Sequence, residues 1–270
     1  MSDELSAIIE DLDAEQTALR AVLGALPVSD WDKPTHAVGW SVRDQVSHLA
    51  YFDEAATRAM LDPEAFTAEV QEILKTGGGG LEAAYLGRGR EMSPGELLEW
   101  WRTASHALIA AAHNVDPSSR VPWYGPAMSP ASFITARLME TWAHGLDVVD
   151  VVNGDRPDSD RLRHVAFIGV RARPYSYNVR GKTPPTAEVR VELTLPSGKR
   201  LELGDAGAEN EVRGTATDFC RVVTQRRHLA DTDLEIRGPA AEEWMAIAQA
   251  FAGPPGEGRQ PGEFAREKQA

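Results

Sequence analysis

Over residues 3–26, apolar side chains recur every three or four positions. Leu5, Ile8, Ile9, Leu12, Leu19, Val22, Leu23 and Leu26 share one stripe, with acidic residues in the first turn, and this predicts an amphipathic helix. After a loop containing Pro27 and Pro34, Ser41 and Asp44 form a capping-box signature that opens a second helix. On it Val42, Val46, Leu49 and Asp53 fall within about 60° of one another at ~100° per residue. Ser93, Pro94 and Glu96 start a third helix that runs to Asn114, and Ser129 and Pro130 start a fourth that runs to Val152. Between the second and third, residues 62–92 carry a short helical piece opened by Asp62 and Pro63, then "KTGGGG". Those glycines lack the Gly-Lys-Ser/Thr ending and the strand context of a phosphate loop, so they read as a connector. Four long helices with substantial connections predict a bundle.

The period changes after "NGDRPDSD", residues 153–160. One more helix, about 159–172, leads into two alternating runs joined by Pro196-Ser197-Gly198, which read as a hairpin. A short strand at 211–215, a helix at 216–227, the strand "TDLEIRG" and a helix at 240–252 follow. The fold class is therefore α+β: a helical bundle over residues 1–153, a smaller α+β domain over 154–255, and a Gly/Pro-rich flexible tail over 256–270.

Composition narrows what such a chain can do. At 270 residues and 42% hydrophobic it can bury one large core or two modest ones. A net charge of -13, with no polybasic run, disfavours a nucleic-acid backbone as partner and offers no polybasic segment to an anionic membrane surface. No run approaches the ~20 apolar residues of a membrane span, and the acidic start is unlike a signal peptide. With Cys220 as the single cysteine there is no internal disulfide, and the expectation is a cytoplasmic protein. Lysine occurs only at 33, 75, 182, 199 and 268; arginine supplies the rest of the 28 basic residues, the bias of a GC-rich bacterial genome.

Candidate chemistry lies with the histidines. His48 sits on the shoulder of the second helix's apolar face, where a lone histidine is ordinarily a side chain hydrogen-bonded to a neighbour. Glu140 and His144, four residues apart, project from one face of the fourth helix and could share a metal ion. The spacing by itself decides nothing, because His36, His48 and His164 also follow an acidic residue by four positions. Arg137, Glu140, His144 and Asp147 make a polar row among apolar residues, a row that either faces solvent or lines a functional cavity. His106 and His113 are too far apart to ligate one ion, no Ser-based nucleophile motif is present, and Cys220 reads as a small buried hydrophobe. Trp100, Trp101 and Trp142 either fill the core or line the seam of a homodimer.

Together, "GWSVRDQVSHLAYFD" and "METWAHGLDVVD" resemble the amino-terminal metal-binding domain of the mycothiol-dependent maleylpyruvate isomerase family, within the DinB-like group of four-helix proteins, over roughly residues 5–152. The resemblance implies that His48, Glu140 and His144 bind one divalent metal, usually taken as zinc. It also implies that the second domain is sterol-carrier-like, and "ATDFCRVVTQRRHLADTDLEIRGPAAEEWMAIAQAFAGPPG" is weakly similar to a wyosine-base-formation domain. A functional arginine near the end of the matching helix would fall at Arg226 or Arg227, although "TQRR" departs from the family's Gly-Arg ending.

The implied activity is metal-dependent use of mycothiol for S-transfer to, or isomerisation of, a small electrophile. The alternative is a metal-binding or hydrophobic-ligand-binding protein without turnover on the same scaffold.

Overall fold

A computed structural model describes residues 3–75, 80–152 and 154–264. The chain divides into two compact units, Met1–Arg156 and Pro157–Ala270.

Among its described residues the first unit holds six α-helices: α1 (Asp3–Gly24), α2 (Val42–Leu61), α3 (Pro63–Lys75), α4 (Leu81–Glu91), α5 (Pro94–Asn114) and α6 (Pro130–Val149). The long helices α1, α2, α5 and α6 form the bundle, with α2 packed chiefly on α5 and α1 on α6. Their starts follow the caps. Ser41 and Asp44 make a reciprocal capping box at α2, Ser93 and Glu96 another at α5, and Ser129 caps α6 ahead of Pro130. Each satisfies backbone N–H groups that a helix start otherwise leaves unpaired.

The core is continuous across these helices, with Leu19, Leu23, Val46, Leu49, Trp101 and Val148 all buried in it. Trp100, Trp101 and Trp142 are buried as well. The helix α4, where the sequence shows only weak amphipathicity, lies against α2 because Gly89 has no side chain: a Cβ there would collide with the side chain of Ser47. Ser47 in turn donates a hydrogen bond to the carbonyl of Tyr85. Of the expected "KTGGGG" connector, residues 76–79 lie outside the described residues, as does Asn153 in the expected boundary segment.

One buried ionic cluster ties all four long helices together. Arg137 on α6 grips Asp53 on α2 through Nε (3.1 Å) and Nη2 (2.8 Å). The other oxygen of Asp53 accepts from Trp101 Nε1 on α5 (3.0 Å) and from Gln16 Nε2 on α1 (3.2 Å). Asp53, Gln16 and Trp101 are wholly inaccessible and Arg137 nearly so. Burial pushes the Asp53 carboxyl up from its ordinary value, against the opposing pull of Arg137 and the Trp101 N–H.

The second unit carries α7 (Leu162–Arg171), α8 (Arg173–Asn178), α9 (Ala216–Val223) and α10 (Pro239–Ile247) with a four-stranded sheet. Its strands are β1 (Val189–Thr194), β2 (Arg200–Leu203), β3 (Asn210–Thr215) and β4 (Glu235–Arg237), in the order β2-β1-β3-β4. The expected hairpin is β1-β2, antiparallel with Thr194 opposite Arg200, and its turn uses Gly198 at φ 85°. Strand β3 then pairs with β1 in parallel. Val189, Val191 and Leu193 point to the buried face, which also holds Phe219 and Trp244.

The helix expected over 216–227 ends early, at Val223, because Gln225 adopts a left-handed φ of 59°. The tail expected to be flexible from residue 256 makes contacts as far as Phe264: the amide of Gly262 donates to Asp231 (2.7 Å), and Arg227 lies 3.7 Å over the Phe264 ring. Residues 265–270 lie outside the described part.

Candidate metal centre

The polar row on α6 turns inward. Arg137, His144 and Asp147 are buried, and the Glu140 side chain keeps 22% of its surface exposed. Helix packing brings α2 alongside, so that His48 meets this row. Nε2 of His48 stands 3.4 Å from Oε2 of Glu140, and Nε2 of His144 stands 3.1 Å from the same oxygen. The two imidazole centroids are 4.2 Å apart. One ligand atom from each of the three residues lies within 4.8 Å of the other two. The structure thus brings together all three residues that the resemblance places at a metal.

A directional hydrogen-bond chain fixes the His144 ring. The backbone carbonyl of Trp40 accepts from the hydroxyl of Thr35 (2.9 Å), and that hydroxyl accepts from Nε2 of Gln45 (2.9 Å). Oε1 of Gln45 is left facing Nδ1 of His144 at 2.5 Å. The proton of a neutral His144 therefore sits on Nδ1, and Nε2 presents its lone pair to Glu140. Two acceptors 3.1 Å apart require a proton or a cation between them.

The electrostatics agree. Burial, and then the neighbouring His144, bring the His48 pKa down to about 3, so its ring is neutral near pH 7. Burial works against the Glu140 carboxylate, but hydrogen bonds and charge from His144 and His48 outweigh it and hold this group well below its ordinary value. Nδ1 of His48 is buried and has no partner among the described residues.

The donor set fits a divalent ion. Ligand atoms about 2.0–2.1 Å from a tetrahedral ion stand about 3.3–3.4 Å apart, close to the 3.1 and 3.4 Å separations here. Two neutral imidazoles and one ionised carboxylate suit zinc and other first-row metals, and they leave at least one coordination position open.

Elsewhere, Arg226 and Arg227 follow the left-handed turn at Gln225 in the second unit. Arg226 Nη1 donates to the carbonyl of Thr224 (2.8 Å), and buried Arg227 donates to the carbonyl of Arg226 (2.8 Å) beneath the Phe264 ring. Cys220 is wholly buried, with burial holding its thiol well above the ordinary value.

Two features here carry no motif in the sequence. Gln45 is the partner of His144, and its signal was an amide beside His48 on a helix face turned inward. Asp53 is the other: a carboxylate in register with Val42, Val46 and Leu49 had to find a buried cation.

A four-helix bundle in which two histidines and a glutamate converge from two facing helices is an arrangement that could hold one metal ion. The family model described as the mycothiol maleylpyruvate isomerase N-terminal domain matches residues 12–149, just over half of the chain, and the protein belongs to that family.

Two relatives from Mycobacterium tuberculosis, strains CDC 1551 and H37Rv, both bearing the name "uncharacterized protein", are each 43% identical over 251 residues, covering 93% of this chain and 97% of theirs. Among solved structures, the mycothiol-dependent maleylpyruvate isomerase is similar with a TM-score of 0.55 at 16% identity, over 84% of this chain and 93% of that one. A histidine-to-alanine mutant of that isomerase gives 0.54 over the same coverage. The likeness establishes the fold of this chain as that of the isomerase, α+β. Among the described residues, no helix is long and apolar enough to cross a membrane.

Proposed function

We propose that the protein is a metal-dependent enzyme that uses mycothiol for S-transfer to, or isomerisation of, a small electrophile. The observation that carries this reading is the convergence of His48, Glu140 and His144 around one oxygen of Glu140, at spacings that suit a zinc ion with an open position. When bound, such an ion would lower the pKa of a thiol placed at that position, supplying a thiolate near neutral pH without a cysteine of the protein's own. Cys220, inaccessible and held protonated, is not that nucleophile.

The residues of this chain have separable tasks. His48 ties α2 to the centre, and Glu140 contributes the single negative charge. Gln45 keeps the proton of His144 on Nδ1, so that Nε2 stays a ligand. The membership of the family and the isomerase fold of the solved relative support the thiol and the reaction class.

The test begins with metal content by mass spectrometry on protein purified without a histidine tag, for the natural chain and for His48→Ala and His144→Ala. Near-stoichiometric metal lost in both variants is the expected result. Mycothiol is then titrated against the metal-loaded protein with a panel of electrophiles. Failure of the protein to retain zinc, or of mycothiol to bind or be consumed, would overturn the proposal.

A further inference from the structure

Several aromatic rings flank the candidate metal centre in the first unit. His48 lies 4.6 Å from the Phe52 ring, 5.3 Å from Tyr85 and 5.4 Å from Trp40, while Trp40 stacks on His144 at 5.9 Å and 15°. From Phe52 the cluster continues to Tyr51 (5.2 Å), Tyr124 (5.7 Å) and Trp123 (6.0 Å). All six of these aromatic residues are only partly buried, unlike the core tryptophans Trp100, Trp101 and Trp142. Trp123 and Tyr124 also pack on the buried Phe66 and Phe133, so the cluster runs from the core out to the rings beside the ligands. A contiguous, half-open aromatic rim around converging polar groups is the make-up of a ligand site.

Charge supplies the second argument. The elements that carry the rim and the ligands also carry arginines, and the structure commits each of them. On α2, Arg43 pairs with Asp32 (2.9 Å) and Arg58 with Glu69 (3.2 Å); on α4, Arg88 pairs with Glu54 (3.3 Å) and Arg90 with Asp44 (2.8 Å); on α6, Arg137 is held by Asp53. In the loop with Trp123 and Tyr124, Arg120 donates to the carbonyl of Ala127. Among the described residues of these elements, an anionic group entering this rim would meet arginines already engaged, so any attraction would have to come from the metal ion alone.

We infer that the rim of Trp40, Phe52, Tyr85 and their neighbours binds a flat, uncharged conjugated group, so that the electrophile handled at this centre is an aromatic or extended conjugated molecule rather than a small aliphatic diacid. This rests on the proposed function for the word electrophile, but the binding preference stands on the rim alone. Ring faces and edges offer a planar π-system favourable offset and edge contacts in addition to the apolar area it buries.

The experiment is isothermal titration calorimetry of the full chain, zinc-loaded and metal-free, with 2-naphthol, maleate and methyl glucoside as non-reacting probes. The same titrations are repeated for Phe52→Leu and Tyr85→Leu, which keep apolar bulk and remove the ring. Binding of 2-naphthol in preference to the other two, weakened about three- to tenfold in each variant with zinc content unchanged, is the expected result.

Maleate binding more tightly than 2-naphthol would overturn the inference, and so would preference for the glucoside, since aromatic faces also receive sugar rings. Zinc retention without 2-naphthol binding would overturn it while leaving the metal reading intact. Binding of 2-naphthol by a protein that retains no zinc would uphold the rim and remove the metal reading instead. Should one variant fail to fold, as judged by circular dichroism, the other carries the test.

Discussion

Replacing Gln45 with leucine removes two hydrogen bonds from a position that water does not reach: the 2.5 Å contact to Nδ1 of His144 and the 2.9 Å bond to Thr35. Leucine has a similar volume, so packing changes little, and the consequence falls on the imidazole. Its Nδ1–H loses its acceptor, and a buried donor left unpaired costs about 1–3 kcal/mol. The ring is then free to shift its proton to Nε2, the atom that must be bare to bind a metal.

Loss of such an outer partner typically lowers metal affinity about 10–100-fold, which is about 1.4–2.7 kcal/mol and agrees with the cost of the orphaned donor. Competition for zinc against a chromophoric chelator would measure this for the natural protein, Gln45→Leu and Gln45→Glu. The glutamate variant keeps an acceptor opposite Nδ1 and is expected to hold zinc within about threefold of the natural chain. A folded Gln45→Leu protein that also binds zinc within that margin would refute the argument that Gln45 sets the state of His144.

The buried pair of Asp53 and Arg137 predicts that Arg137→Met, which strands a carboxylate among four helices, lowers stability by about 3–5 kcal/mol in urea unfolding; a loss under 1 kcal/mol would mean that the Trp101 and Gln16 bonds suffice. Asp44 is pulled below its ordinary pKa: burial opposes this, but bonds from Arg90 and Ser41 prevail. Because its folded value lies under the unfolded one, Asp44 adds stability above pH 4 that fades as pH falls further. Asp44→Asn should therefore cost about 1–2 kcal/mol at pH 7 and progressively less as pH falls below about 4 in paired melts; a deficit that does not shrink with acidification would contradict the assignment. Cys220 should resist iodoacetamide in the native protein and react after unfolding in guanidinium, as intact-mass analysis would show; rapid native labelling would place the thiol outside the core.

The sequence by itself determined whatever depends on neighbours along the chain. Helix starts at Ser41, Ser93 and Ser129 were legible because a cap acts within three or four residues, and the β1-β2 hairpin because Pro196-Ser197-Gly198 must turn. The α+β class followed from the change of period after residue 153. Stops were less legible: the 216–227 helix ends at Val223 through a left-handed Gln225, a conformation that glutamine does not advertise.

Tertiary structure decided everything that joins distant segments. The spacing of Glu140 and His144 recurs at Asp32/His36, Asp44/His48 and Asp160/His164, and the pattern left their row open between solvent and cavity; only the packing of α2 beside α6 turns it inward and sets His48 against it, 92 residues away in sequence. The same packing gives Asp53 its arginine and His144 its amide. Parallel pairing of β3 with β1 was equally invisible, since strand alternation records which face is buried but not which neighbour lies alongside. Periodicity reports burial and caps report boundaries, whereas a site made of side chains from two helices exists only once the chain has closed on itself.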